Sequence, residues 1–212
     1  MDKINYQKEF EKALEEIKKS DEKPELLLHS CCAPCSSYVI ECLNNYFKLT
    51  VYYCNPNVFP QLEYEKRKEE QQRFIRTLNN SGSEIGFIEE SYDYKDFEDI
   101  SKGLEGELEG GDRCTKCYRL RLEKTAIKAV ELSFDYFCTT LSVSPYKNAQ
   151  KLNTIGEEFG EKYNIKYLLS DFKKKDGYKK SIELSKKYNF YRQDYCGCQT
   201  SLIQSQDRHN MA

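Results

Sequence analysis

Glu25-Leu26-Leu27-Leu28-His29-Ser30-Cys31-Cys32-Ala33-Pro34-Cys35 is the stretch on which the fold turns. A short apolar run between polar residues reads as a buried strand. Pro34 suits the first turn of a helix, where its missing N–H is no loss. Val39, Ile40, Leu43 and Phe47 carry that helix onward. A strand that passes straight into a helix is half of a βαβ unit, and ligands gather at such turns. This turn has no Gly-x-Gly-x-x-Gly and no P-loop lysine, so it is not made for a nucleotide. It carries vicinal thiols instead, at a helix N-terminus whose dipole favours thiolate.

The same alternation extends in both directions. Tyr6, Phe10, Leu14 and Ile17 recur at helical spacing and give a leading amphipathic helix. Residues 49–54 form a second strand, closed by the turn Asn55-Pro56-Asn57. A charged helix over 61–80 turns Phe74, Ile75 and Leu78 inward. A third strand at 84–88 and a helix near 93–102 follow, then a flexible acidic loop over 103–111. Cys114 and Cys117 open a helix with Leu120, Ala126, Ile127 and Val130 as its apolar residues. Strands at 136–140 and 167–170 enclose a helix over 148–162, and a helix over 179–188 is the last clear element. This order predicts an α/β fold: a doubly wound, mainly parallel sheet with helices on both faces. It divides the chain into a helical extension over 1–22, a single α/β catalytic domain over 23–204 and a tail over 205–212 that frays. The cysteines after the first strand, residues 54–57, 142–147 and 171–173 then meet at the carboxyl edge of the sheet.

Composition narrows the function. The chain of 212 residues is 39% hydrophobic and 32% charged, with a net charge of −2. It has no apolar run near the roughly 20 residues that span a membrane. The first residues are charged and lack the apolar core of a secretory signal, so the expected location is the cytoplasm. Thiols stay reduced there, and clustered cysteines favour metal or catalysis over a disulfide framework. Two histidines leave little for histidine-based hydrolysis. Charge is uneven: residues 171–194 carry eight Lys/Arg against four Asp/Glu, and residues 89–112 carry two against ten. Each reads first as a solvated face; the basic strip, Lys173-Lys174-Lys175, Lys179-Lys180, Lys186-Lys187 and Arg192, is also compatible with a phosphate backbone.

Seven of the ten cysteines fall in three groups: Cys31, Cys32 and Cys35; Cys114 and Cys117; Cys196 and Cys198. Cys114-x-x-Cys117 is half of a zinc or iron–sulfur site, and Cys31 with Cys32 brings the set to four thiolates. Cys35 sits one helical turn from the vicinal pair and is ambiguous. Asp112 caps the helix at 114, or serves as an oxygen ligand or acid. A bond between Cys196 and Cys198 would close a strained, easily reduced ring, whereas open thiols would suit a second metal. Cys42, Cys54 and Cys138 read as core thiols, and His29 as a structural strand residue.

Several rare motifs agree with one family in order. They are His29 to Cys35; Asn55-Pro56-Asn57 with Glu63 to Arg67; Asp112 to Arg121; Thr139 to Asn148; and Tyr191 to Cys198. On these the chain, over about 25–201, resembles the cobalamin-independent epoxyqueuosine reductases of the QueH family. The resemblance implies the last step of queuosine formation in tRNA: the wobble epoxyqueuosine loses its epoxide oxygen, taking two electrons and two protons and releasing water. It implies a [4Fe–4S] cluster on Cys31, Cys32, Cys114 and Cys117, a redox-active pair at Cys196 and Cys198, and a second mononuclear iron beside the cluster. For that iron, Cys198 and Asp112 are the candidate ligands. It also implies a fold like that of the ATP-pyrophosphatase-type (HUP-like) tRNA enzymes, and an electron donor as the second partner beside tRNA. Asp112 and Tyr146 are the candidate proton sources. Two rivals stand against this: a zinc-stabilised RNA-binding module without redox activity, and a plain thiol–disulfide oxidoreductase using Cys196 and Cys198.

Overall fold

The computed structural model of the protein describes residues 4–210. Helix α1 (Tyr6–Ile17) precedes strand β1 (Glu25–His29), which leads into α2 (Ala33–Leu43) and β2 (Lys48–Tyr53). Helix α3 (Gln61–Asn80), β3 (Gly86–Glu89) and α4 (Tyr94–Ser101) follow. After them come α5 (Asp112–Glu131), β4 (Tyr136–Thr139) with a 3₁₀ turn at Thr140–Val143, α6 (Ala149–Tyr163), β5 (Lys166–Tyr167), α7 (Gly177–Lys187) and α8 (Gln199–Asn210). The five strands form one sheet in the order β3-β2-β1-β4-β5. Every pairing is parallel, with Leu28 beside both Val51 and Cys138. The chain steps outward one way from β1 and the other way from β4, so the switch point lies between them, as the doubly wound reading requires.

Alternation along the strands sorts the core into two layers. Leu26, Leu28, Leu49, Val51 and Cys138 pack under α1, α2 and α3 with Phe10, Ile40, Leu43 and Phe74. Leu27, Tyr52 and Phe137 face the other way, against Leu122, Ala126 and Ala129 of α5 and Leu152, Ile155 and Phe159 of α6. Helix α1 seats Phe10 edge-on against Phe172 at 5.2 Å, which fastens it to the carboxyl side of the sheet.

Four expectations are corrected. The buried stripe of α5 runs through Cys114, Tyr118, Leu122, Ala126 and Ala129, while Ile127 and Val130 are exposed. The helix is phased by its cysteines, not by its largest aliphatics. Strand β5 stops at Tyr167 because Asn153 takes over at Ser170, accepting from its N–H and donating to its carbonyl, both at 2.9 Å. The acidic loop before α5 is not loose: the buried Arg113 donates to the carbonyls of Leu104 and Glu107. Finally, α8 runs through to Asn210 where fraying was expected from 205; Met211 and Ala212 lie outside the described residues.

Candidate active site

Strand β1 ends where its chemistry begins. Cys31 follows it, and Cys32 is the extended N-cap residue of α2, with Pro34 in the first turn. Regular β geometry would send adjacent side chains apart, but this turn gathers them. The sulfurs of Cys31 and Cys32 are 3.7 Å apart, and those of Cys31, Cys32 and Cys35 all lie within 4.8 Å of one another. Cys35 therefore belongs with the vicinal pair. Hydrogen bonds from Cys32 and Cys35 hold the Cys31 thiol well below the ordinary thiol range, burial opposing and Arg121 and Lys147 helping. The same sharing pushes Cys32 up to about 12. Cys31 also lies 3.8 Å from Thr140 Oγ1, at the head of β4, so the triad stands at the switch point.

The second group reaches the site from α5. Gly110 N–H donates to Cys114 Sγ at 3.3 Å. Burial pushes Cys117 up to about 12; Arg121 pulls the other way, and Cys196, Cys198 and Cys114 add to the rise. Cys114 and Cys117 remain outside the tight triad among the described residues; Cys114 belongs to the apolar cluster against which Cys31 packs, and Cys117 to the one that holds Cys198. In that group Cys196 faces a cavity of about 390 Å³ and accepts from Lys147 Nζ at 3.2 Å. Cys198 turns into an apolar patch with Cys117 and Phe97. Gly197 makes this split possible: its φ is +130°, and a Cβ there would press on Arg67 Nη1 at 3.0 Å and Val58 at 3.1 Å. All ten cysteines are free thiols, so the Cys196–Cys198 bond is open in this state.

What sequence reading missed is the cationic frame around the sulfurs. Arg67, Arg121 and Lys147 are all buried. Arg121 lies four residues beyond Cys117, on the same helix face. Its Nε donates to His29 Nε2 at 3.2 Å, and its Nη2 to Asn55 Oδ1 at 2.5 Å. His29 Nδ1 lies 2.8 Å from Thr139 Oγ1, and Nε2 lies 3.1 Å from the Cys54 carbonyl. Burial and the adjacent Arg121 depress His29 to about 3, so the ring is neutral and anchors the guanidinium. Burial disfavours the Arg121 charge, and the thiols of Cys117, Cys31 and Cys196 more than offset it. One cation is thus shared by all three cysteine groups. Arg67 donates to Glu63 Oε1 at 2.7 Å and to the Cys196 carbonyl at 3.1 Å. Lys147 stays charged against burial because Cys196, Tyr118 and Glu109 face it. Helical spacing was the available signal: Cys117 with Arg121, and Glu63 with Arg67, are each one turn apart.

Other expected residues fall less centrally. The N-cap of α5 is Gly111, without a side-chain cap bond, so Asp112 does not cap the helix. Asp112 is exposed on the first turn and is not among the residues lining the cavity, whereas Glu109, Asp194 and Tyr146 are. In the basic strip, Lys173 pairs with Asp171 and Lys175 with Glu11. Arg192 lines the cavity, as does Arg208 of α8. Thiolates are soft donors that suit iron or zinc. Arg121, a buried cation held by His29 and Asn55 and not by a carboxylate, is what an anionic sulfur–metal group needs beside it, so the donor set fits such a group.

The model of the family described as epoxyqueuosine reductase QueH matches residues 26–204. The chain is 45% identical over 199 residues to the epoxyqueuosine reductase QueH of Staphylococcus epidermidis, covering 92% of this chain and 84% of that protein. It is 44% identical to that of Streptococcus pyogenes serotype M1, covering 92% and 77%. It is 42% identical to that of Staphylococcus aureus, covering 95% and 85%.

Proposed function

This chain belongs to the epoxyqueuosine reductase QueH family and is an oxidoreductase of that activity; from that premise we propose that it deoxygenates epoxyqueuosine in tRNA at an iron–sulfur site on the Cys31 turn. The observation that carries the reading is a cavity lined by Cys31, Cys35 and Cys196 together with Arg121, which lies one helical turn beyond Cys117 on α5. In this reading Cys31, Cys32, Cys114 and Cys117 would hold a [4Fe–4S] cluster, with Cys35 as the further thiol at the same turn. A cluster so held supplies electrons one at a time when bound. A second iron, with Cys198 and Asp112 as candidate ligands, belongs to the same reading.

The protein's own residues account for the rest. Removing the epoxide oxygen breaks two C–O bonds, forms a C=C bond and releases water, for two electrons and two protons. Oxidising the Cys196 and Cys198 thiols to a disulfide yields that same pair of electrons and pair of protons. An external donor then restores the dithiol. Lys147 holds the Cys196 sulfur in place, and Tyr146 is the proton source that lines the cavity. Asp112 would have to reach in from the first turn of α5.

A wobble base is already single-stranded and can be splayed into a pocket and stacked on aromatic rings. Tyr146, Tyr178 and Tyr195 offer such rings, and Tyr146 is 74% exposed. Arg192, Arg208 and the α7 lysines would meet the phosphates. A tRNA substrate places the reaction in the cytoplasm, with 23–204 as the catalytic domain and 1–22 as its extension. No described helix is long and apolar enough to cross a membrane. The test is anaerobic turnover of epoxyqueuosine-containing tRNA with metal analysis of the same sample. We expect brown protein with iron and sulfide whose turnover disappears with the iron. Colourless zinc protein that binds tRNA without turnover would overturn the reading, as would full turnover in metal-free protein.

A further inference from the structure

Six buried side-chain polar atoms among the described residues lack a hydrogen-bond partner: Asn57 Oδ1, Arg67 Nη2, Gln71 Nε2, Gln193 Oε1, and Nε and Nη2 of Arg113. Leaving such an atom unpaired costs roughly 1–3 kcal/mol, and more when it is charged, so a cluster of them calls for a cause. Four of the six surround one place. Arg67 and Gln71 are one turn apart on α3 and both fully buried. Gln71 Oε1 accepts from the hydroxyls of Ser30 and Ser36, both at 2.8 Å, and so lies directly against the cysteine turn. Gln193 Nε2 donates to Cys32 Sγ at 3.0 Å. Arg67 and Asn57 both flank Gly197, between the redox pair.

Arg67 has its Nε on Glu63 and its Nη1 on the Cys196 carbonyl. The nitrogen left over, Nη2, is on a guanidinium for which Cys32 is the leading attractive charge. Of the four atoms, Arg67 Nη2 and Gln71 Nε2 are donors left without an acceptor beside the thiol triad, and Asn57 Oδ1 and Gln193 Oε1 are acceptors left without a donor.

We propose that Arg67, with Gln71 beside it, is a positioning residue of the metal centre: Arg67 Nη2–H and Gln71 Nε2–H donate to sulfur of the iron–sulfur group held at the Cys31–Cys35 turn. This rests on the reading that the thiols hold such a group. Hydrogen bonds to cluster sulfur favour the more negative, reduced state and raise the potential. Because Arg67 also holds the Cys196 carbonyl, it ties the potential of the centre to the placement of the dithiol.

The experiment compares anaerobically purified parent, Arg67→Lys and Gln71→Met. Iron and sulfide content of the parent tests the reading itself, and mediator-based redox titration tests the inference. We expect each variant to keep its iron and sulfide while its reduced-to-oxidised ratio, at the parent's midpoint, falls about tenfold, or about 59 mV for one electron. Full iron content with an unmoved midpoint in both variants would overturn it. Should the variants lose the cluster, pulsed electron paramagnetic resonance of reduced parent labelled with ¹⁵N-arginine decides. Two distinct arginine couplings to the cluster, one beyond that of Arg121, support the inference; one coupling or none means the Arg67 donor serves ordered water only.

Discussion

Cys138 and Cys196 show what separates a structural thiol from a chemical one. Cys138 lies in β4, fully buried, and donates to the Leu168 carbonyl at 3.3 Å. Burial pushes it up to about 12, and hydroxyl and carbonyl groups are its polar company. Cys196 sits at the end of a loop with the Lys147 ammonium at 3.2 Å and the Arg67 guanidinium on its carbonyl. Cys138 is sealed in the core and Cys196 is half-buried, yet only Cys196 is framed by cations. Burial alone makes a thiol a small hydrophobe; a buried cation beside it stabilises a thiolate or an anionic ligand. The contrast teaches that the site is recognised by its arginines and lysine as much as by its sulfurs.

The comparison can be broken most decisively by exchanging the two kinds of cysteine. Cys32→Ala should abolish iron binding and turnover, an effect exceeding the roughly 10–100-fold that removal of a supporting partner costs. Cys138→Ala should leave iron content and turnover at parent levels; equal iron depletion in both variants would erase the distinction. The cationic frame is tested next. Glu63→Ala strands the buried Arg67 charge and should destabilise by about 3–5 kcal/mol in urea melts. Asp99→Ala, at an exposed pair with Lys102, should leave the melt where it was. If the two behave alike, Arg67 is not held as described.

A pH titration sharpens the structural side. Above the ordinary thiol value of 9.0, unfolded chains have released the Cys138 proton and folded chains keep it up to about 12. The unfolded state then binds fewer protons, so stability falls as pH rises through this window. Cys138→Ala should remove about 1.4 kcal/mol per pH unit of that slope. Parallel slopes for parent and variant would mean that the thiol titrates alike in both states. The smallest effect belongs to the basic strip. Reversing Lys174 and Lys179 should weaken tRNA binding modestly and flatten its salt dependence by about 0.7–0.9 for each phosphate no longer neutralised. An unchanged salt slope would return the strip to a solvated face.

Much of this was legible in one dimension. The strand periodicity, the helix over Gln61–Asn80 and the opening of α5 at Cys114 follow from spacing that local sterics impose. So does the place of Cys31 and Cys32 at the carboxyl edge, because every strand runs parallel. Helix α8 was not legible: its apolar positions are sparse, and it is recognised by packing such as Ser201 and Ser205 turned inward. The short β5 was hidden too, since Asn153 competes for the Ser170 backbone from 17 residues away.

Sequence alone determined that Cys31 and Cys32 would stand at the carboxyl edge of a parallel sheet, because the alternation of strand and helix is a local property summed along the chain. Only the tertiary structure decided which thiols touch, that Cys35 joins Cys31 and Cys32, and that Arg121 stands between the three groups. Those outcomes depend on helix phase and on buried charge. A cation such as Arg121 is retained in the interior only where anionic sulfur and the His29–Asn55 pair jointly replace its water, and that arrangement exists only once the layers have packed.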